Sequence, residues 1–512
     1  MKNYILIIVF LVSHFFVFAQ APATEWQKCF GGSGSETGQS ILQTADGGYI
    51  VVGYTTGSND GDVAGNLGFN DGWIVKISSL GVLQWQKTLG GTFDDVINCI
   101  QQTSDGGYIV VGTTTSSEIN LSGINGDGDI MVIKLSSLGV QQWRRVYGGS
   151  SNEQGQSIVQ NTDGSYVIAG KTSSNNGNVT GNNGGDDGWV IKISSIGNLE
   201  WQKTFGGSNN DLLADIKKTN DGGYIMVGNT RSNIGTTIIN QGNIDFWVIK
   251  ISSNGILNWQ KSFGGNEFDF AYSVEKTSDG GYIVIGGTFS NNGDVPSNQG
   301  SGDAWIIKLS ILGNVEWQKT IGGTQMDLGY GIQQTTDGGF IAVGSSQSSN
   351  GDFNFNQGNG DFFAAKLSNL GVIQWQKTMG GADFENASSV KQTLDGGYVL
   401  AGFTDSNNGN VSGNHGFRDF WVVKLASDAL SDNSFNNDNF TVYPNPTNHF
   451  LNIKNNSNQI IESVSIVNVL GKIILIQNKN FEIIDVSKLQ NGMYFIQTTV
   501  NRKIYQKKFI KE

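Results

Sequence analysis

The sequence predicts an all-β protein: a seven-bladed β-propeller of four-stranded blades, followed by a small C-terminal β-sandwich. The first observation is a self-repeat, because Trp recurs at intervals of 58 or 59 residues and begins a similar string each time. The second is composition, since 72 Gly, only 4 Pro and 11% aromatic residues are typical of short strands joined by tight turns. The repeat positions are Trp26, Trp85, Trp143, Trp201, Trp259, Trp317 and Trp375.

Each copy reads as four strands, and residues 271–323 illustrate the pattern. The predicted strands are Tyr272 to Lys276 (a), Tyr282 to Gly286 (b), Ala304 to Leu309 (c) and Val315 to Ile321 (d). The turn between a and b contains Asp279-Gly280-Gly281, which accepts positive φ easily. Strands b and c are almost continuously apolar, which indicates burial on both faces, whereas strand d mixes polar and apolar residues like an edge.

The two ends of the array favour a closed ring over a linear solenoid. The chain enters with an isolated strand d, Trp26 to Phe30, and leaves after an isolated a-b-c set between Val390 and Leu425. The first strand can complete the last sheet, which removes both open edges. We therefore assign residues 20–426 to the propeller.

The repeats carry a recognisable order of motifs. In one copy they are Leu89-Gly90-Gly91, Asp95, Asp105-Gly106-Gly107, Val111-Gly112-Thr113-Thr114 and Asp129-Ile130-Met131-Val132-Ile133-Lys134. This region resembles the seven-bladed β-propeller repeats of exported bacterial proteins. The resemblance implies a fold and says little about function, since propellers support binding, scaffolding and catalysis.

Three polar positions recur in all seven copies. The first is an acid after the Gly-Gly pair: Glu36, Asp95, Glu153, Asp211, Asp269, Asp327 and Glu385. The second is the Asp before strand c: Asp71, Asp129, Asp187, Asp245, Asp303, Asp361 and Asp419. The third is the Lys on strand c: Lys76, Lys134, Lys192, Lys250, Lys308, Lys366 and Lys424. Sevenfold repetition favours structural roles between blades, and the Asp set is interpreted as structural. The alternative for the first set is an acidic ring that binds Ca²⁺ or a cationic partner.

The long b–c loops make one face of the propeller the candidate binding face. They are rich in Asn, Asp and Gly, and they share this face with the d–a connections that carry the first acid set. Candidate Ca²⁺ ligands are Asp60, Asp62, Asp294 and Asp352, although the spacing fails the EF-hand pattern. The candidate residues for stacking against carbohydrate are Phe69, Phe353, Phe355 and Phe417. The alternative is that these side chains pack against their own loops and hold them in place.

The N-terminus indicates export. A positive Lys2, an apolar stretch from Ile5 to Phe18 and the small residue Ala19 predict a signal peptide over residues 1–19. No later stretch is apolar enough to predict a transmembrane segment. The two cysteines, Cys29 and Cys99, fall in different predicted blades, so we expect no disulfide between them.

Charge excludes one class of partner. The chain has a formal net charge of −12, residues 441–512 carry nine Lys/Arg against four Asp/Glu, and the remainder therefore carries −17. A body this acidic disfavours nucleic acid. Catalytic signals are weak, since the predicted propeller contains a single His, His415, and no zinc or phosphate-loop motif.

Residues 427–440 read as a linker, and residues 441–512 as a separate module with six strand candidates. The module contains Val442-Tyr443-Pro444-Asn445-Pro446-Thr447, Leu470-Gly471-Lys472, Leu489-Gln490-Asn491-Gly492-Met493-Tyr494 and Lys507-Lys508-Phe509-Ile510-Lys511. These residues resemble the C-terminal sorting domain of the type IX secretion system of Bacteroidetes. The resemblance implies handling by that machinery and delivery to the cell surface or the medium. Its motif residues are Tyr443, Pro444, Asn445, Pro446, Gly471, Gly492, Tyr494 and Lys508.

The sequence thus predicts a secreted or surface-displayed, non-enzymatic protein for binding or adhesion. Its expected ligand is a glycan or a protein held by the loop-rich face. The alternatives are a carbohydrate-active hydrolase or lyase on a propeller scaffold, and a passive structural surface protein. The sequence assigns no cofactor, and Ca²⁺ binding is left as an alternative.

Overall fold

The computed structural model describes residues 20–117, 126–235, 238–428, 440–455, 461–468, 473–477, 479, 481–500 and 503–512. The predicted signal peptide, Gly471 and residues 429–439 of the predicted linker lie outside these ranges. The chain divides into two compact units, Met1–Ser427 and Asp428–Glu512. The described residues of both units contain β-strands and no α-helix.

The first unit contains seven four-stranded antiparallel sheets, numbered here along the chain. The a strands are β2 (Ser35–Gln43), β6 (Asp95–Gln102), β10 (Glu153–Gln160), β14 (Asp211–Lys218), β18 (Asp269–Lys276), β22 (Asp327–Gln334) and β26 (Glu385–Gln392). The b strands are β3 (Tyr49–Thr56), β7 (Tyr108–Thr114), β11 (Tyr166–Thr172), β15 (Tyr224–Thr230), β19 (Tyr282–Thr288), β23 (Phe340–Ser346) and β27 (Tyr398–Thr404).

The c and d strands complete the sheets. The c strands are β4 (Asn70–Ile77), β8 (Asp129–Leu135), β12 (Asp187–Ile193), β16 (Asp245–Ile251), β20 (Asp303–Leu309), β24 (Asp361–Leu367) and β28 (Asp419–Leu425). The d strands are β1 (Thr24–Phe30), β5 (Leu83–Leu89), β9 (Gln141–Tyr147), β13 (Leu199–Phe205), β17 (Leu257–Phe263), β21 (Val315–Ile321) and β25 (Ile373–Met379). Strands b and c are almost wholly buried, and the d strands are the most exposed, as the polarity patterns predict.

The N-terminal strand closes the ring. Strand β1 pairs antiparallel with β28, so that Lys28 lies opposite Val422 and Phe30 opposite Phe420. The buried Trp421 donates its indole N–H to Gln27 Oε1 at 2.7 Å across a separation of 394 residues. The first and last segments of the unit therefore share one blade.

Neighbouring blades are joined by apolar cores. Trp73 and Phe420, from the first and last blades, pack with ring centroids 4.6 Å apart within one buried cluster. Equivalent clusters join each of the remaining pairs of consecutive blades, which makes the ring continuous. The predicted all-β propeller of repeated four-stranded blades is confirmed. Cys29 in β1 and Cys99 in β6 are both free.

The second unit has two sheets around its own core. The first sheet orders β29 (Phe440–Tyr443), β30 (Phe450–Asn455) and β33 (Ile483–Asp485). The second orders β32 (Ile473–Gln477), β31 (Ile461–Asn468), β34 (Gly492–Val500) and β35 (Lys503–Lys511). Asn445 joins the start of this unit to its end, because its side chain donates to Lys508 O at 3.2 Å and accepts from Ile510 N at 2.9 Å.

Candidate binding site in the axial channel

The first repeated acid set lies inside the fold. All seven carboxylates are fully buried, and each accepts the N–H of the second Gly of its Gly-Gly pair at 2.7–2.9 Å. A Thr or Ser hydroxyl donates a second bond at 2.5–2.7 Å. Each acid thus ties a d–a connection to strand b of its own blade. This arrangement supports a structural role and leaves none of the seven facing solvent as a ring would require.

The second repeated set, the Asp before strand c, is also fully buried. In six described copies one oxygen accepts the backbone N–H of the residue four positions earlier, at 2.5–3.0 Å. The bond fixes the end of the b–c loop where strand c begins. This contact is the one that a turn-fixing role at the start of strand c requires, and that role stays a prediction.

The two acid sets meet at the blade junctions and form what we call junction pairs, each a c-strand Asp beside the first-set acid of the next blade. Asp245 and Asp269 show the geometry: a Cβ on Gly264 would lie 2.4 Å from Asp245 Oδ1 and 2.8 Å from Asp269 Oδ2. Only a glycine fits between them. Asp245 Oδ1 has no hydrogen-bond partner among the described residues. Burial and the negative charge of Asp269 raise the pKa of Asp245 to about 7.

The repeated Lys of strand c anchors the a–b hairpin. Lys134 Nζ, for example, bonds Asp105 at 2.9 Å, and the Lys side chain is 5% exposed. Although partial burial of Asp105 acts in the opposite direction, hydrogen bonds and the Lys134 charge lower the pKa of Asp105 to about 2. These pairs hold turns on the face opposite the long loops.

The candidate Ca²⁺ ligands accept hydrogen bonds from the chain itself. Asp60 Oδ1 accepts Ser33 N at 2.7 Å, and Asp62 Oδ2 lies 3.4 Å from Gly31 N. Asp294 and Asp352 each accept a Gln side-chain amide from the preceding blade, at 2.6 and 3.1 Å. Within the ranges that the structure describes, no three His, Cys, Asp or Glu side chains gather as a metal-ligating group.

The loop aromatics divide into two groups. Phe69, Phe355 and Phe417 are 67%, 58% and 80% exposed. Phe353 is fully buried, and its ring packs 5.2 Å from that of Phe363, so it cannot serve as a stacking face. His415, the propeller's only His, bonds Asp419 Oδ2 through Nδ1 at 2.7 Å, which fixes its ring to a structural carboxylate.

A site that the sequence analysis did not identify lies in the axial channel. Strands a from all seven blades surround a cavity of about 430 Å³. A second cavity of about 330 Å³ shares Asn98 and Gln156 with it and includes Asn70 and Asp94 at the loop-rich face. Every a strand has a register irregularity at one equivalent position, and the residue there lines the cavity.

One wall of the channel is aromatic. Phe268 lies just before β18, and Phe270 and Tyr272 follow at alternate positions on it, with successive ring centroids 6.0 and 6.4 Å apart and interplanar angles of 7° and 19°. Tyr330, from the next blade, lies 4.9 Å from Tyr272. We call these four residues the aromatic ladder. It runs from the half-exposed Phe268 at the loop-rich face into the cavity lined by the two tyrosines.

The opposite wall carries amides. Gln39 and Gln156 line the cavity from the first and third blades, and their side-chain amides bond no residue that the structure describes. Asn98, between them, donates its side-chain amide to Gly155 O at 2.8 Å. An aromatic wall facing free amides offers stacking together with hydrogen bonding.

The missed residues did leave a signal in the sequence. The position three residues after the first-set acid varies among copies, whereas the acid itself is always Asp or Glu. Its occupants are Gln39, Asn98, Gln156, Ala214, Tyr272, Tyr330 and Ser388. When the residue at one position differs among copies and its neighbours repeat, the fold does not require a particular side chain there. In the structure these seven residues line the channel.

Comparison with known proteins identifies the second unit. Residues 441–512 match the family described as "Secretion system C-terminal sorting domain". Residues 441–512 are a type IX secretion sorting domain. The chain is therefore exported by that system to the cell surface or the medium. Among the described residues no helix has the length and apolarity needed to cross a membrane.

Other similarities are distant. The regulatory protein FlaEY of Caulobacter vibrioides is 22% identical over 167 residues, which are 29% of this chain and 17% of that protein. PorZ, a surface component of the type IX secretion system of Porphyromonas gingivalis, is 11% identical with a TM-score of 0.35, over 90% of this chain and 58% of PorZ. The WD40 domain of Neurospora crassa Pan2 is 9% identical with a TM-score of 0.43, over 77% of this chain and 89% of that domain.

Proposed function

We propose that this protein is a non-enzymatic glycan-binding protein of the cell surface or the medium, which admits its ligand at the loop-rich face and holds it in the axial channel. The observation that carries the proposal is the pair Tyr272 and Tyr330, the inner end of the aromatic ladder, which lines one cavity together with Gln39 and Gln156. Sugar rings present C–H faces to aromatic rings and hydroxyl groups to amides, so this pairing of walls suits a saccharide. The volume of about 430 Å³ is within the range of small-ligand sites.

A binding role is favoured over hydrolysis because the carboxylates that could act as acid and base are engaged. Glycoside cleavage needs two carboxyl groups on either side of an accessible bond. The first-set and c-strand acids are fully buried within the blade junctions. Asp215, which lines the cavity, accepts both Lys217 and the Ser157 hydroxyl.

The test is a glycan array probed with the full chain and with Tyr272→Ala, whose folding is checked by tryptophan fluorescence. We expect the natural chain to bind a related set of glycans and Tyr272→Ala to lose at least tenfold in affinity, since an aromatic stacking partner is removed. Phe417→Ala, at the loop tip, is the matched control and should bind normally.

Three outcomes would overturn the proposal. The first is the absence of glycan binding by the natural chain, which would point to a protein ligand or a structural role. The second is loss of binding in Phe417→Ala but not in Tyr272→Ala, which would place the ligand on the loop tips. The third is new reducing ends in the bound glycan after incubation, which would show that the protein is a hydrolase.

A further inference from the structure

One charge in the axial channel has no partner. Lys391, on β26, lines the cavity, and its ammonium group makes no ion pair and no hydrogen bond with any residue that the structure describes. Lys391 is half-buried, and an ammonium that is partly withdrawn from water without a paired anion is costly, so its position needs an explanation.

Two carboxylates act on Lys391 from nearby, Glu275 and Asp215, but neither forms an ion pair with it, and Glu275 Oε1 accepts Lys276 N at 3.1 Å. Lys217 occupies the equivalent position on β14 and bonds both oxygens of Asp215, at 2.6 and 2.7 Å. Asp215 also accepts the Ser157 hydroxyl at 2.8 Å and Val274 N at 3.1 Å. Its oxygens are therefore committed to other donors, and its charge is balanced by Lys217.

The electrostatic surroundings of Lys391 agree with this reading. Burial lowers the pKa of the Lys391 ammonium, and the positive charge of Lys217 lowers it further. The charges of Glu275 and Asp215 act in the opposite direction without reversing the shift. An anion bound beside Lys391 would relieve the cost.

The cavity also differs in charge from the rest of the body. The chain outside residues 441–512 carries −17, but the charged residues lining this cavity are Lys217, Lys391 and Asp215. Glu275 acts on both lysines from outside the lining, so the attraction for an anion comes from the unpaired Lys391 ammonium and not from a net positive channel. A ligand with a negative group that reaches Lys391 is therefore favoured.

We propose that the ligand is an acidic saccharide whose carboxylate pairs with Lys391 while its sugar ring lies against Tyr272 and Tyr330. This inference rests on the proposed glycan-binding function and names its ligand class. The three side chains line the same cavity, and Gln39 and Gln156 on the facing wall are available for the hydroxyl groups. Uronic acids combine a carboxylate with a pyranose ring in this way.

The experiment compares uronate oligosaccharides with their carboxyl-reduced counterparts, which differ only in the charged group. The probes are galacturonate, alginate and hyaluronan oligomers, titrated into the full chain. We expect at least one uronate oligomer to bind about tenfold or more tightly than its reduced form, as a charge-assisted hydrogen bond in a partly buried site requires. Lys391→Met should remove this preference and retain the affinity for the reduced oligomer.

Lys218→Met is the matched control, since Lys218 lies on the same type of strand but does not line the cavity. It should keep the preference for uronate. Equal binding of both forms by the natural chain, or an unchanged preference in Lys391→Met, would overturn the acidic-ligand inference and leave glycan binding intact. If the natural chain binds neither form nor any neutral glycan on the array, the proposed function and this inference both fail.

Discussion

The junction pair of Asp245 and Asp269 makes a specific prediction about stability and pH. Replacing Asp245 with Asn removes one of two neighbouring buried carboxyl groups and keeps an acceptor for Gln241 N, which Asp245 binds at 2.7 Å. The new amide can also donate to Asp269. We therefore expect Asp245→Asn to stabilise the propeller above neutral pH and to change it little near pH 4.

The direction of this pH dependence follows from proton binding. The pKa of Asp245 rises from 3.8 to about 7 on folding, so the folded state holds a proton between these values that the unfolded state has released. Stability from this group is complete below about pH 4 and is lost as the pH rises through 7. A shift of this size corresponds to about 4 kcal/mol. The difference between Asp245→Asn and the natural chain should change by about that amount between pH 4 and pH 8.

Urea denaturation followed by tryptophan fluorescence measures this difference. All 12 Trp residues lie in the propeller, so the signal from the full chain reports on that unit alone. Asp221→Asn is a control of opposite sign, because hydrogen bonds and the Lys250 charge lower the pKa of Asp221 to about 2 despite its partial burial. That variant should destabilise the propeller at neutral pH, and the effect should fade as the pH falls through 4 towards 2.

Greater destabilisation by Asp245→Asn at pH 8 than at pH 4 would refute the proton uptake assigned to Asp245. Such a result would mean that the folded propeller prefers the ionised Asp245 carboxylate. An equal effect at all pH values would refute the assigned proton uptake as well.

Three further predictions follow from the same contacts. Gly90→Ala places a Cβ 1.7 Å from Asp71 Oδ1 and should lower stability by about 3 kcal/mol or more, measured as a fall in Tm. Lys134→Met should raise the pKa of Asp105 from about 2 towards 3.8, as followed by an NMR titration; an unchanged pKa would show that the ammonium is not responsible. Gln27→Ala leaves the indole N–H of Trp421 without its acceptor and should cost about 1–3 kcal/mol in urea denaturation; no loss would mean that this bond does not hold the ring closed.

The propeller could be predicted from the sequence because the same strand and turn patterns occur in seven copies. The continuous apolar residues of strands b and c predict their burial. The isolated strand at the start of the repeats predicts its pairing with the incomplete last sheet. The sorting domain was recognisable from short motifs such as Tyr443-Pro444-Asn445-Pro446. Both predictions concern features that depend on local pattern and order along the chain.

The variable position of the a strands is visible in the sequence, but which of its occupants share one cavity depends on distances across the ring, which the sequence does not show. Phe353 and Phe355 are two residues apart in one loop, yet the first is buried and the second exposed. Tyr272 and Gln39 are far apart in the chain and line one cavity. The juxtaposition of two acids at each junction was equally hidden, since each set was visible alone but their contact crosses from one blade to the next.

Closure of the last blade by β1 has a consequence for the order of folding. Strand β1 is synthesised before every other strand of the propeller, and its partner β28 follows 394 residues later, counted between Gln27 and Trp421. Until then the internal blades can assemble, but Cys29 and Phe30 have no sheet to join. Contacts so distant in sequence form slowly because a long loop must close first. The propeller is therefore completed last at the point where its two ends meet, and a chain truncated before β28 keeps an open edge on its N-terminal strand.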